Sequence, residues 1–392
     1  MDSEQFLREI HGKNVNFLIG SGTSAGGVPT LWSQTFEKSF EDILTDSTYS
    51  DEQRKVLYYI WFELWIRKTQ ITTYDKQNDI HKHYLEFLQS LTTFLNNEGY
   101  DHPKRINLFT TNYDTLFEVT FDELARKNRL VFFNDGSRGF FNRYISTENF
   151  YINASHSATN DQFVRQIPSI NLLKMHGSVT WSKESKESSE IKASAKNTVF
   201  DKVCKAADEL KESINGYSGD VQPERFQEVI LDEAKDSLTA DNFNEFLDYV
   251  VQNCSGELDN FYNVYCQLPV VNPTKEKFAD TVFQQTYYQM LRMLSFELEK
   301  DNSVLVVFGF SFADEHIREI VRRSMMNPHL KLYIICYSKE AELSIRSYLG
   351  DDAPSQHSWA EYIPSSTERK TLDGHEITGN FEYLNSLFQQ EN

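Results

Sequence analysis

Val15-Asn16-Phe17-Leu18-Ile19-Gly20-Ser21-Gly22-Thr23-Ser24 is a short apolar run that stops at a Gly-Ser-Gly-Thr-Ser loop. Such a run, closed by glycines, reads as a buried strand that feeds a helix. Glycines remove side-chain bulk, and a turn of this kind leaves backbone N–H groups free. That is what a phosphate needs at the mouth of a strand–helix unit. A plain tight turn has the same composition, so the loop alone leaves both readings open.

Three later segments repeat the plan. Ile106-Asn107-Leu108-Phe109-Thr110-Thr111-Asn112-Tyr113-Asp114 is a second apolar strand that ends in a polar cluster. Asn112 and Asp114 are two apart, so on extended backbone they point the same way. Open α/β sheets bind ligands at such strand ends. Asp114 also suits an Asx-turn that opens a helix over 115–126, and both roles can hold together. Ile170-Asn171-Leu172-Leu173-Lys174-Met175-His176-Gly177-Ser178 puts a histidine at a third strand end, where the following glycine allows close approach. Val304-Leu305-Val306-Val307-Phe308-Gly309-Phe310-Ser311-Phe312-Ala313-Asp314 is the fourth. It reads as a second phosphate- or ribose-contacting loop, or as a βα turn with a helix cap.

As a set, these segments resemble the sirtuin (silent-information-regulator-type) family. The family's Gly-Ala-Gly-x-Ser phosphate loop is matched by Gly20, Ser21, Gly22, Thr23 and Ser24. Its Thr-Gln-Asn-Ile-Asp is matched by Thr110, Thr111, Asn112, Tyr113 and Asp114, and its catalytic His-Gly by His176 and Gly177. Its late Gly-Thr-Ser strand end is matched in part by Gly309, Phe310 and Ser311. The resemblance covers roughly 12–26, 104–181 and 262–340. Two departures stand out. Tyr113 replaces the family isoleucine. The cysteines Cys204, Cys254, Cys266 and Cys336 lack the paired Cys-x-x-Cys spacing by which deacylating sirtuins hold zinc, so no zinc is expected. These departures resemble the bacterial anti-phage defence branch, whose members hydrolyse NAD+ rather than deacylate proteins.

The resemblance implies an NAD+ glycohydrolase that cleaves the nicotinamide–ribose bond, with NAD+ as substrate. It gives Asn112, Asp114 and His176 the catalytic roles. Gly20, Ser21, Gly22, Thr23, Ser24, Thr111, Gly309 and Ser311 would bind the dinucleotide. It also implies control by assembly, as a homo-oligomer or with a separately encoded HerA-type ATPase or Argonaute-like partner. A protein deacylase, an ADP-ribosyltransferase and a non-catalytic NAD or ADP-ribose sensor are the alternatives.

Strand candidates fall at 14–20, 105–110, 130–133, 169–175, 265–271, 303–309 and 331–336. Helical periodicity fills 52–70, 80–96, 199–213, 224–238, 242–253 and 278–300. The first two of these helices stand between the glycine loop and the Asn-x-Asp strand, placed to roof a nucleotide site. The alternation predicts an α/β, Rossmann-like, mostly parallel sheet flanked by helices, with a helical insertion where a zinc module would sit. The expected organisation is a discontinuous core of 1–182 and 259–346, an insertion at 183–258 and a tail at 347–392. Asn134-Asp135-Gly136-Ser137-Arg138-Gly139 is turn chemistry, and Arg138 and Arg143 read as solvated rather than as contacts to a pyrophosphate.

Composition sets the outer bounds. The chain has 392 residues, 29 Phe and 20 Tyr, ample for a large core. No apolar run approaches the ~20 residues that span a membrane. The acidic, polar start Met1-Asp2-Ser3-Glu4-Gln5 carries no secretory signal, and few scattered cysteines suit a reducing compartment, so a soluble cytoplasmic protein is expected. A net charge of -19 argues against direct nucleic-acid binding.

Overall fold

The computed structural model of the chain describes residues 1–24, 32–33, 38–102, 104–128, 130–157, 159, 164–183, 190–215, 240–272, 285–350, 360–365, 368–369 and 376–389. Its central sheet has seven strands: β1 (Asn14–Ile19), β2 (Arg105–Thr110), β3 (Phe132–Asn134), β4 (Ser169–Lys174), β5 (Ser303–Phe308), β6 (Leu330–Ile335) and β7 (Ala360–Ile363). They lie in the order β7-β6-β5-β1-β2-β4-β3, and every neighbouring pair is parallel. The chain runs from β1 to β2, on to the edge strand β3 and back to β4 between them, then crosses over and builds outward through β5, β6 and β7 on the other side. The order therefore reverses between β1 and β5, the place where sheets of this kind open a crevice. The α/β, Rossmann-like expectation is met.

Both faces of the sheet are covered, which is why its strands read as continuous apolar runs. On one face Phe17, Ile19, Leu108, Leu172 and Val306 pack with Phe6, Tyr84, Phe87, Leu88 and Phe117. These come from helices Ser3–Ile10, Asp79–Asn97 and Leu116–Lys127. On the other, Leu18, Phe109, Leu173, Leu305 and Val307 meet Tyr287, Met290, Ile317 and Val321 of helices Gln285–Glu299 and Glu315–Ser324.

One polar row crosses this apolar interior. Asn16, Asn107, Asn171 and Asn134 stand level on β1, β2, β4 and β3. The Asn107 amide donates to Asn16 Oδ1 at 2.8 Å, and the Asn171 amide donates to Asn107 Oδ1 at 2.9 Å. Side-chain direction alternates along a strand, so a slip of one residue would break every link.

A third apolar cluster lies outside the sheet. Helix Asp51–Leu64 packs with Thr198–Ile214, Ala240–Asn253 and Ser255–Tyr265 through Tyr59, Trp61, Phe62, Phe200, Phe246 and Phe261. The density of aromatics at 52–70 is thus burial within the chain. The helix expected at 224–238 and the start of that at 278–300 lie outside the described residues.

The strand expected at 265–271 is absent. Helix Ser255–Tyr265 occupies its start, carrying Leu258, Phe261 and Tyr265 on one buried stripe. A turn follows, and only Val270 pairs, as a single antiparallel bridge to Gly177. Pro269 has no N–H to give a ladder, so a central strand cannot run through it. Helix Ser255–Tyr265 also carries the helical cluster past the boundary drawn at 258. Conversely, β7 arises from the polar tail. Among the described residues, no helix is long and apolar enough to cross a membrane.

Candidate functional site

Register brings the candidate residues to one edge. Lys174, Thr110, Ile19 and Phe308 are paired across β4, β2, β1 and β5. Gly20 and Gly309 are each one residue past that line. Asn112 and His176 are each two past it. All sit where the parallel strands deliver their C-terminal ends, beside the reversal between β1 and β5.

The loop after β1 is a 3-10 turn, Ser21–Ser24, and the α-helix expected after Thr23 falls on residues outside those described. Its N–H groups are less free than the composition suggests. Gly22 N–H donates to Gly309 O at 2.9 Å, and Thr23 N–H to Gly20 O at 3.1 Å. The β1 and β5 loops are therefore laced together. Gly309 has φ of +65°, and a Cβ there would lie 2.6 Å from Thr23 N, so only glycine fits. Ser21 and Gly22 are the exposed members of the loop.

Beneath the loop is a buried hydroxyl and amide network. The Ser24 hydroxyl donates to Asp114 Oδ2 at 2.9 Å. Asn112 Nδ2 donates to Thr23 Oγ1 at 3.0 Å, and the Thr23 hydroxyl lies 3.0 Å from Tyr84 OH. Asp114 Oδ1 accepts from Leu116 N–H at 3.1 Å, so the carboxylate opens helix Leu116–Lys127 as well. Asn112 is 6% exposed, and among the described residues its Oδ1 has no hydrogen-bond partner. A buried acceptor left open in this way is suited to a ligand hydroxyl or a water.

Tyr84 was legible only as part of an apolar helix stripe. Burial, then the nearby Asp114 carboxylate, pushes its phenol above the usual range, so it stays protonated. Tyr84→Phe removes the hydroxyl shared by Thr23 and Ser24. It is expected to lower unfolding free energy by about 1 kcal/mol, read by urea titration. Lys174 is a second unforeseen member. It pairs with Glu118 at 2.7 Å, lies 3.2 Å from Ser178 Oγ and donates to the Asp114 carbonyl.

His176 stands across from this network with a partner of its own. Its Nε2 is 3.2 Å from Asp314 Oδ2, with both side chains nearly buried. The other Asp314 oxygen caps helix Glu315–Ser324 through His316 N–H and Ile317 N–H. With Nε2 protonated toward the carboxylate, Nδ1 presents its lone pair, and it makes no hydrogen bond among the described residues. Gly177 holds φ of +88°, and a side chain there would strike the Pro269 carbonyl. Just before Asp314, buried Phe312 holds a left-handed φ of 63°, a conformation that bulky residues adopt only under constraint.

Tyr113, between Asn112 and Asp114, has a structural task of its own. It packs against the helical cluster, with its ring 6.4 Å from that of Trp61, and its hydroxyl donates to the Val271 carbonyl. It thereby ties the helical layer to the Asn112–Asp114 loop. Thr111 donates its N–H to Ile19 O at 3.1 Å and continues the β1–β2 pairing. Ser311 is exposed and accepts from Ala313 N–H at 3.4 Å, so it is not joined to the buried network. Arg143 pairs with Asp135 at 2.8 Å, and Arg138 lies over the Phe132 ring.

The cysteines are all free thiols. Burial pushes Cys204 up to about 11 and Cys336 up to about 12, so both rest as thiols. No protein-family model and no curated protein sequence matches the chain.

Proposed function

We propose that the chain is a sirtuin-type NAD+ glycohydrolase that releases nicotinamide and ADP-ribose. The observation that carries the reading is the pairing of His176 with Asp314 at the same sheet edge as the open Asn112 acceptor. A sensor needs a binding surface but has no use for a base held by a carboxylate. The open Asn112 Oδ1 and the exposed Ser21–Gly22 backbone fit a ribose hydroxyl and a phosphate at neighbouring points.

Each residue then has a task. Asn112, fixed by Thr23 through Nδ2, holds a ribose hydroxyl or the attacking water on Oδ1. Cleavage builds positive charge on the ribose, and the buried Asp114 carboxylate is a fixed negative charge that offsets it. His176 takes a proton at Nδ1 from the water or the ribose hydroxyl, and Asp314 supports the imidazolium that forms. Ser21, Gly22 and Gly309 frame the pyrophosphate approach. Thr23 and Ser24 act from beneath by holding Asn112 and Asp114, rather than as direct phosphate ligands.

In the cell this activity would deplete NAD+ in anti-phage defence, in the cytoplasm, under control of a homo-oligomer or a partner ATPase or Argonaute-like protein. The test is incubation of the purified chain with NAD+, with nicotinamide release followed by chromatography and binding by calorimetry. Release with ADP-ribose as co-product is expected. Binding without release would favour the sensor, and neither binding nor release would end the NAD+ reading.

A further inference from the structure

The opposite edge of the sheet carries a second cluster. His11 precedes β1 and His102 precedes β2, so both lie at the strands' N-terminal ends, away from the site above. Between them stands Glu98, whose side chain is 2% exposed. His11 Nδ1 is 3.0 Å from Glu98 Oε1, and His102 Nδ1 is 2.9 Å from Glu98 Oε2. The donor atoms of the three residues all fall within 4.8 Å of one another. Among the described residues no other group of His, Cys, Asp or Glu converges in this way.

The carboxylate is buried, yet no lysine or arginine among the described residues pairs with it. Lys104 turns its ammonium to the Glu98 carbonyl instead, at 2.8 Å. Only Gly12 N–H, 3.2 Å from each oxygen, and the two imidazoles face it. Buried charges are normally paired or bound to metal. Two imidazoles and one carboxylate form a donor set for a late first-row divalent cation. Tetrahedral ligands at zinc stand ~3.3 Å apart, from bonds of about 2.0–2.1 Å, so donors that lie within 4.8 Å of one another must draw together around the ion, which the exposed His11 ring is free to do. Access is open, since the His11 ring is 55% exposed and lines a cavity of about 770 Å³.

We propose that His11, Glu98 and His102 bind a zinc-class divalent cation, with water completing the shell. The ion clasps the turn after helix Ser3–Ile10 to the turn after helix Asp79–Asn97, beneath β1 and β2. Cysteine spacing gave no reason to expect zinc, and this trio is independent of the cysteines and of the NAD+ reading.

The full chain, stripped with chelator, is titrated with zinc chloride, desalted and assayed for zinc by elemental analysis, with thermal unfolding in parallel. One zinc per chain is expected, with a melting temperature raised on the order of 3–5 °C at a hundredfold excess over Kd. The His11→Ala/His102→Ala double variant is expected to lose both effects. Should it fold poorly, His11→Asn, at the more exposed position, is expected to weaken binding with unliganded melting unchanged. No stoichiometric zinc in the native chain overturns the site, and so does zinc retained in full by the variants.

Discussion

His176→Ala is expected to lower NAD+ cleavage by about 10²–10⁴-fold while NAD+ still binds, because the proposed role of the residue is that of a proton acceptor rather than a contact surface. The side chain is 12% exposed, so its removal also costs some packing, and the unfolding midpoint is read alongside turnover. Asn112→Ala is expected to abolish turnover too, since it removes the one amide that spans Thr23 and the open acceptor position. The sharper comparison is Asp314→Asn. Asparagine caps a helix about as well as aspartate, so helix Glu315–Ser324 keeps its start. It cannot support an imidazolium by charge. Cleavage should fall with unfolding midpoint unchanged. Single-turnover rates with calorimetry on the same samples separate the steps, and wild-type turnover in folded His176→Ala would remove the assigned base.

Asn107→Leu is expected to destabilise the fold by about 2–4 kcal/mol, although it replaces a polar core residue with an apolar one of similar size. Asn107 both donates to Asn16 and accepts from Asn171. Leucine would strand the Asn16 carbonyl and part of the Asn171 amide inside the sheet, and each buried orphan costs ~1–3 kcal/mol. Urea unfolding measures it directly, and a change below about 0.5 kcal/mol would show that the row carries little.

Strands β1, β2, β4 and β5 were legible because each is a near-continuous apolar run closed by Gly20, Asn112, His176 or Gly309, the mark of a sheet covered on both faces. The run at 265–271 misled for the same reason: Tyr265, Leu268, Val270 and Val271 are apolar, but the first ends a helix and Pro269 bars a ladder. Candidate residues were legible where chemistry sits at a strand's end, as at Asn112, Asp114 and His176. Their partners were not. Asp314 reads as a helix cap and Tyr84 as part of an apolar stripe, because what each touches depends on sheet order, which periodicity does not encode. In the trio, Glu98 and His102 are near neighbours in sequence, but His11 is brought to them only by the pairing of β1 with β2.

The two halves of the candidate site come from very different times in the life of the chain. Asn16 reaches Asn107 across 91 residues but reaches Val304 across 288. On a ribosome adding ~5–20 residues per second, Asp314 emerges on the order of ten seconds after His176. Until then β1, β2 and β4 can pair and bring Asn112, Ser24 and Asp114 together, but the histidine has no carboxylate and the glycine loop has no Gly309 to rest on. Under the proposed function a nascent chain would therefore be inert toward NAD+, its chemistry switching on only when β5 docks against β1.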